Sequence, residues 1–437
     1  MNLAFPDPSL ILLVGASGSG KSTFAARHFL PTEIISTDLC RAMVCDDEND
    51  QAVNGEAFSL LKTILQLRLR KGRLTVVDSN NLRFEDRRRL LQLGRQHDTL
   101  VSAVLLDTPP EICLSRNAQR SPGRAVSTPL MTRQARLFDL VCQEVLREKY
   151  HCVYRLSPSE ADQATVQRSR LRSHRQDLSG PFDIIGDLHG CATELEQLLE
   201  KLGYRTGRHP RGRRVVFLGD FTDRGPRNLD CYQIVSGMVA QDQALAVIGN
   251  HDAKLLRYLE GRNVQLSHGL EKTVAELEQT DPLYRARLKE FLESLPSHYL
   301  LDGGRLAVAH AGIKEAYQGR ASKRVRLFCI YGDTTGKLDP HGLPVRRDWA
   351  QHYRGATRVV YGHTPVQQAV WRNRTINIDT GCVFGGRLTA LRYPELELVE
   401  VPALQQYSPR SHWLAADDPP LTNPSDSSLP ETDLPAR

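Results

Sequence analysis

In the middle of the chain, aspartate, histidine and asparagine recur just after short apolar runs. "PFDIIGDLHG" carries Asp187 and His189, and "RVVFLGDFTDRGP" carries Asp220, Asp223 and Arg224. "ALAVIGNHD" brings Asn250 and His251, "RLAVAHAG" brings His310, and "RVVYGHTP" brings His363. Carboxylates, amides and imidazoles are hard and borderline ligands, the donor types that hold divalent cations. One histidine after a strand is ordinarily structural, but the same placement repeated along a chain is not explained that way. Ligands at successive strand exits converge on one rim of an α/β sheet, where such enzymes gather their chemistry. A pair of metal ions at such a rim activates water against a phosphate ester.

A different phosphate chemistry opens the chain. Gly15, Ala16, Ser17, Gly18, Ser19, Gly20, Lys21, Ser22 and Thr23 spell "GASGSGKST", a complete GxxxxGK[ST] loop between an apolar strand and a helical stretch. Glycines let backbone amides wrap phosphates, and the helix N-terminus adds positive potential. Lys21 is positioned by the motif to reach the outer phosphates of ATP, and Ser22 to ligate Mg²⁺. "EIISTDLCR" follows, and a helix starting at Thr37 would put Asp38 and Arg41 on one face. Such a carboxylate can accept a hydroxyl proton while the arginine grips an acceptor phosphate; a plain ion pair in a first helical turn fits equally well. Asp78, closing "LTVVD", either assists Mg²⁺ or ends a strand. Arg116 and Arg120 in "LSRNAQR" are one helical turn apart, placed to neutralise a phosphoryl group in transfer.

Elements must hold these groups in place. Strands are expected at 9–14, 33–36, 74–77 and 101–106 and a helix at 56–71, an alternation that implies a parallel sheet covered on both faces. Residues 157–181 are rich in Ser, Arg, Gln and His and read as a linker, after which alternation resumes over 182–403. Residues 404–437 read as a disordered tail, rich in Pro, Ser and Asp. The length of 437 residues suits two domains, and 40% hydrophobic and 25% charged residues are ordinary for a soluble protein. The net charge of +6 permits a nucleic-acid partner without demanding one. Nine cysteines without a CxxC pair suit a reducing cytoplasm, and no apolar run is long enough for a membrane span.

The P-loop, "TDLCR" and "SRNAQR" together resemble the kinase domain of polynucleotide kinases. The later strand-exit motifs resemble the binuclear, calcineurin-like metallophosphoesterases. In that order, and with "INIDTGCVFGGRLTALRYP" near the end, the chain resembles the bacterial polynucleotide kinase-phosphatases. The resemblance implies a P-loop NTPase-type parallel sheet domain over 1–156, followed by an α/β metallophosphoesterase β-sandwich over 182–403. It implies Asp38 as the base toward a 5′-hydroxyl, Arg41 on the acceptor phosphate, and Arg116 and Arg120 as a lid over ATP. It also implies one metal on Asp187, His189 and Asp220, and a second on Asp220, Asn250, His310 and His363, with Mn²⁺ a fitting ion. His251, oriented by Asp223, would protonate the leaving alcohol, Arg224 would clamp phosphate, and Asp379 would help choose substrates. RNA or DNA ends are the implied partners, with a homodimer possible. The family's best-known members continue into a ligase domain with a KxDG motif. Here "KLDP" at 337–340 lacks that glycine, so a separate ligase is expected in trans. Two other readings stand beside this one. They are a dinucleoside polyphosphate hydrolase fused to a small-molecule kinase, and a serine/threonine protein phosphatase with a nucleotide-sensing domain.

Overall fold

The computed structural model describes residues 1–120, 125–338, 340 and 344–409. Strands form at Ser9–Val14, Ile34–Ser36, Thr75–Asp78 and Leu100–Leu106, close to the expected spans, and Val153–Leu156 joins them. They lie in the order 34–36, 75–78, 9–14, 100–106, 153–156, each parallel to its neighbour. Strands of such a sheet are buried on both faces, so Ser9–Val14 is an unbroken apolar run. Leu61, Leu91, Phe138 and Val145, from helices Asn54–Arg70, Phe84–Gln96 and Thr128–Arg147, cover one face. Phe24 and Ala25 of helix Lys21–His28 cover the other.

The stretch 157–181 is more than a linker. Helix Pro158–Gln163 begins with a capping box between Ser157 and Glu160. Strand Thr165–Arg170 then pairs in parallel with Asn2–Asp7, and His174–Arg175 pairs with His298–Leu301 of the following domain. These are edge strands with mostly solvated side chains, so their composition reads as loop.

Two sheets build the second domain. One is ordered 244–246, 214–217, 182–185, 387–393, 397–402, and the other 371–372, 375–377, 358–361, 306–309, 298–301, 174–175. Phe182, Ile184, Val216, Val308, Val360 and Leu391 form the apolar layer between them. Helices Ala192–Leu202 and Asn228–Ala240 pack outside the first sheet through Leu195, Leu198 and Val235. Helix Lys323–Tyr331 and Trp349 cover the second. This is the expected α/β sandwich.

The expected tail begins later than residue 404. The Leu404 amide and the Tyr407 hydroxyl both donate to Glu194 Oε1, at 3.0 and 2.7 Å, and the Tyr407 and Ser408 amides donate to the Val383 carbonyl. The rest of that tail, 410–437, lies outside the described residues, as does Asp339 of "KLDP". Buried Asp98 of the first domain accepts bonds from Ser322 Oγ at 2.6 Å and from Arg324 Nε and Nη2 at 3.0 and 2.6 Å. Arg320 Nη2 adds a 2.8 Å bond to the Arg70 carbonyl, so side chains of the second domain bond the first. Among the described residues, no helix is long and apolar enough to cross a membrane.

Candidate active sites

The P-loop leaves strand Ser9–Val14 and enters helix Lys21–His28 through Gly20, with Gly18 at φ 80°. A Cβ at Gly18 would press on the Cys113 carbonyl, so that turn excludes a side chain. Lys21 Nζ donates to the Gly15 and Ala16 carbonyls at 3.0 and 2.8 Å. Burial pulls its pKa down to about 8, with the Asp78 carboxylate pulling the other way. Asp78 lies beside Leu13 in the neighbouring strand and accepts a hydrogen bond from Ser22. The structure thus places Asp78 with Ser22, where the two oxygens can share a Mg²⁺ ion.

Helix Thr37–Cys45 starts where expected, capped by Ser36 Oγ on the Leu39 amide. Arg41 Nη2 meets Asp38 Oδ1 at 2.5 Å, and its remaining nitrogens reach the Glu48 carbonyl and Asn54. The arginine is the buried partner, at 11% exposure, while the Asp38 side chain is 63% exposed and open to an acceptor. Arg116 and Arg120 do not share a helix face, since the helix Pro110–Ala118 ends between them. Both nonetheless line, with Lys21, Ser22 and Thr23, a cleft of about 490 Å³. Arg116 reaches the Gly18 carbonyl at 3.4 Å.

In the second domain each expected ligand follows a strand. Asp187 and His189 follow Phe182–Ile185, and Asp220 follows Arg214–Phe217. Asn250 opens helix Asn250–Leu259 after Ala244–Ala246, and His310 and His363 follow Leu306–Ala309 and Arg358–Tyr361. His189, Asp220, Asp223, Arg224 and His363 all take left-handed backbone, φ 45° to 76°. Such conformations cost energy in residues with a Cβ and concentrate where function requires them. A Cβ on Gly249 would overlap the Asp220 carboxylate, which explains the glycine before Asn250.

Hydrogen bonds fix the imidazoles from behind. His189 Nδ1 faces the Thr222 carbonyl at 3.1 Å and His310 Nδ1 the Leu218 carbonyl at 3.0 Å, which puts the proton on each Nδ1. The His310 Nε2 lone pair then faces Asn250 Oδ1 at 3.0 Å and Asp220 Oδ2 at 3.4 Å. His363 Nδ1 lies 2.9 Å from the same nitrogen, and His363 Nε2 is buried without a hydrogen-bond partner among the described residues. Acceptors converging in this way call for a cation. A proton does not suffice, because burial pulls the His310 pKa down to about 3. Burial, with Asp379 and Asp220 nearby, pushes Asp187 well above the usual carboxylate range, and burial raises Asp379 to about 6. The donor set therefore fits a divalent pair sharing Asp220.

Two groupings each place their ligand atoms within 4.8 Å of one another: Asp220, His310 and His363, and His189, Asp220 and His251. Asp187 accepts the His363 amide at 3.1 Å and so stands on the His363 side of the rim. His251 Nδ1 is held by Asp223 Oδ2 at 2.6 Å, the pairing expected of it, and its ring also lies within reach of the His189 group. Arg224 Nη1 sits 2.7 Å from His189 Nε2 with its guanidinium over Phe384, so a cation on that nitrogen requires Arg224 to move away.

Several supporting residues stand outside the candidate set drawn from the sequence. Asp252 accepts the Asp220, Phe221 and Gly249 amides and locks two metal-binding loops together. Thr273 donates to Asp223 Oδ1 at 2.6 Å and accepts the Asp223 amide at 3.1 Å. Arg346 lies close enough to His310 and His363 to depress both pKa values, behind burial as the larger cause. Asp252 adjoins a recognised motif and could have been found there; Thr273 and Arg346 lie far from any in sequence.

Comparison with known proteins agrees with this division. Residues 10–141 match the AAA domain family, and residues 180–367 match the calcineurin-like phosphoesterases. The bis(5′-nucleosyl)-tetraphosphatase PrpE of Anoxybacillus flavithermus is 51% identical over 234 residues, covering 52% of this chain and 96% of the relative. PrpE of Bacillus cereus is 49% identical over 237 residues, with the same 52% and 96% coverage. A protein serine/threonine phosphatase from Saccharomyces cerevisiae superposes with a TM-score of 0.38 at 14% identity, over 56% of this chain and 84% of that one. Through its second domain the chain belongs to the calcineurin-like phosphoesterases, and it carries an AAA-type P-loop domain ahead of the phosphoesterase.

Proposed function

We propose that this protein heals broken nucleic-acid ends. Its P-loop domain phosphorylates a 5′-hydroxyl, and its phosphoesterase removes a 3′-phosphate or 2′,3′-cyclic phosphate. The observation that carries this reading is the exposed Asp38 carboxylate, held by Arg41 at the start of the helix after strand Ile34–Ser36 and close enough to Lys21 for their charges to interact.

In the kinase half, Asp38 takes the proton of the acceptor hydroxyl as its oxygen attacks the γ-phosphorus and the β–γ bridge breaks, releasing ADP. Lys21, Arg116 and Arg120 neutralise charge on the moving phosphoryl group. Ser22 and Asp78 would hold Mg²⁺. In the phosphoesterase half, Asp187, His189, Asp220, Asn250, His310 and His363 would hold the divalent pair, for which Mn²⁺ suits the oxygen and nitrogen donors. When bound, the pair supplies Lewis acidity toward water and the phosphate. His251, oriented through Nδ1 by Asp223 and kept neutral at rest by burial, would relay to the leaving oxygen the proton released by the attacking water, and Arg224 neutralises the phosphate once free of His189. A separate ligase would seal the healed ends.

The identity to PrpE relatives favours a second reading, hydrolysis of dinucleoside tetraphosphates by the same rim. Specificity constants for a 3′-phosphorylated oligonucleotide and for diadenosine tetraphosphate separate the two. End healing predicts the oligonucleotide to be preferred by about tenfold or more, a difference of about 1.4 kcal/mol in transition-state binding. The opposite preference, with no labelling of 5′-hydroxyl strands from γ-labelled ATP, replaces this proposal with the second reading.

A further inference from the structure

Behind the phosphoesterase rim lies a second cluster of ligand atoms, of different chemistry. Cys191 sits just before helix Ala192–Leu202, Glu194 lies in its first turn, and Cys382 lies in the short turn after Asp379. One ligand atom from each lies within 4.8 Å of the others, and exposures are 0%, 0% and 2%. A third buried thiol, Cys231, is close enough to interact electrostatically with Cys191 and Cys382.

An independent observation points to a ligand there. Glu194 Oε1 accepts from the Leu404 amide and the Tyr407 hydroxyl, but Oε2 is buried with no hydrogen-bond partner among the described residues. A buried carboxylate oxygen left unsatisfied is costly, and thiols are weak donors. A cation shared with the two sulfurs would satisfy it.

We propose that Cys191, Glu194 and Cys382 bind a structural, thiophilic divalent cation of the zinc class, separate from the phosphoesterase pair. Two sulfurs and a carboxylate oxygen are zinc or cobalt ligands, whereas the rim offers only nitrogen and oxygen. Binding converts both thiols to thiolates and releases two protons to solvent. The bound ion ties the helix that follows His189 to the turn that follows Asp379. Glu194, whose Oε1 already holds the Leu404 amide and the Tyr407 hydroxyl, links that stretch to it. It is a staple beneath the catalytic rim.

Cobalt tests this directly, because thiolate-to-cobalt charge transfer gives an intense near-ultraviolet band that nitrogen and oxygen ligands do not. The full chain, stripped of metal under reducing conditions and titrated with Co²⁺, should show that band. Asp187→Asn should retain it, since that change touches only the rim. Cys382→Ser and Cys191→Ser should each lose it, with folding checked by circular dichroism, and Glu194→Gln should weaken the uptake that produces it by about tenfold or more. Wild-type protein that takes up cobalt without a thiolate band overturns the proposal, whatever the variants do. A band that survives Cys382→Ser in folded protein also overturns it.

Discussion

Lys21 shows how one side chain can carry both structure and pH dependence. Its ammonium is buried, with a pKa pulled down to about 8, and ATP phosphates would raise that value again. Binding of ATP is therefore linked to proton uptake above pH 8, so affinity falls as pH rises through the free-state value. Calorimetry at pH 7 and pH 9 should show ATP affinity lower by up to about tenfold at the higher pH. An unchanged affinity would mean that Lys21 stays charged in the free protein. Thr273 offers a test in the other site. Thr273→Val removes a buried hydroxyl bonded twice to Asp223, and should cost about 1–3 kcal/mol while slowing phosphoesterase turnover and sparing kinase turnover. Side-by-side assays of the two activities, with thermal unfolding, check this. The candidate metal ligands were legible because their placement after successive strands is a signature in itself. Thr273 and Arg346 were not, since their roles arise from tertiary approach across long stretches of chain.

Among the elements, apolar runs located the central strands, and the helix of Asp38 begins at Thr37 as its spacing with Arg41 required, under a Ser36 cap. The sequence could not show that 165–170 is a strand, because an edge strand with solvated side chains lacks the hydrophobic alternation that identifies one. Nor could it show that Leu404 and Tyr407 dock on Glu194, since two hydrogen bonds to a distant helix leave no local pattern. The Arg116–Arg120 spacing implied one helix face; the helix stops at Ala118 and the pair converges on the cleft by another route. The contact between the domains rests on short elements too. Asp98→Ala removes the acceptor of Ser322 and Arg324 and should weaken docking by about 1–2 kcal/mol, a figure reduced from that of a buried pair because Arg324 is 56% exposed. Calorimetry should then resolve two unfolding transitions further apart than in wild type. Unchanged transitions would show that other contacts, such as the Arg320 bond to the Arg70 carbonyl, dominate instead.

At the scale of the whole molecule, the phosphoesterase domain encloses Asp187, Asp220 and Asp379 together, and burial pushes all three carboxylates toward their neutral forms. Cations relieve that repulsion only in the folded state. Divalent ion at a hundred times its dissociation constant should therefore stabilise this domain by about 2.7 kcal/mol per site, and a chelator should reverse the gain. Asp220→Asn should shrink the shift, because Asp220 belongs to both ligand groupings. Two independent phosphate chemistries in one chain would act on opposite ends of one strand, and end-group analysis of a single oligonucleotide reads both. Given a strand with a 5′-hydroxyl and a 3′-phosphate, with ATP, Mg²⁺ and Mn²⁺, wild type should exchange both ends. Lys21→Ala should leave the 5′-hydroxyl while still removing the 3′-phosphate, and Asp187→Ala should do the reverse. Loss of both reactions from either substitution in folded protein would mean that the two sites are not independent.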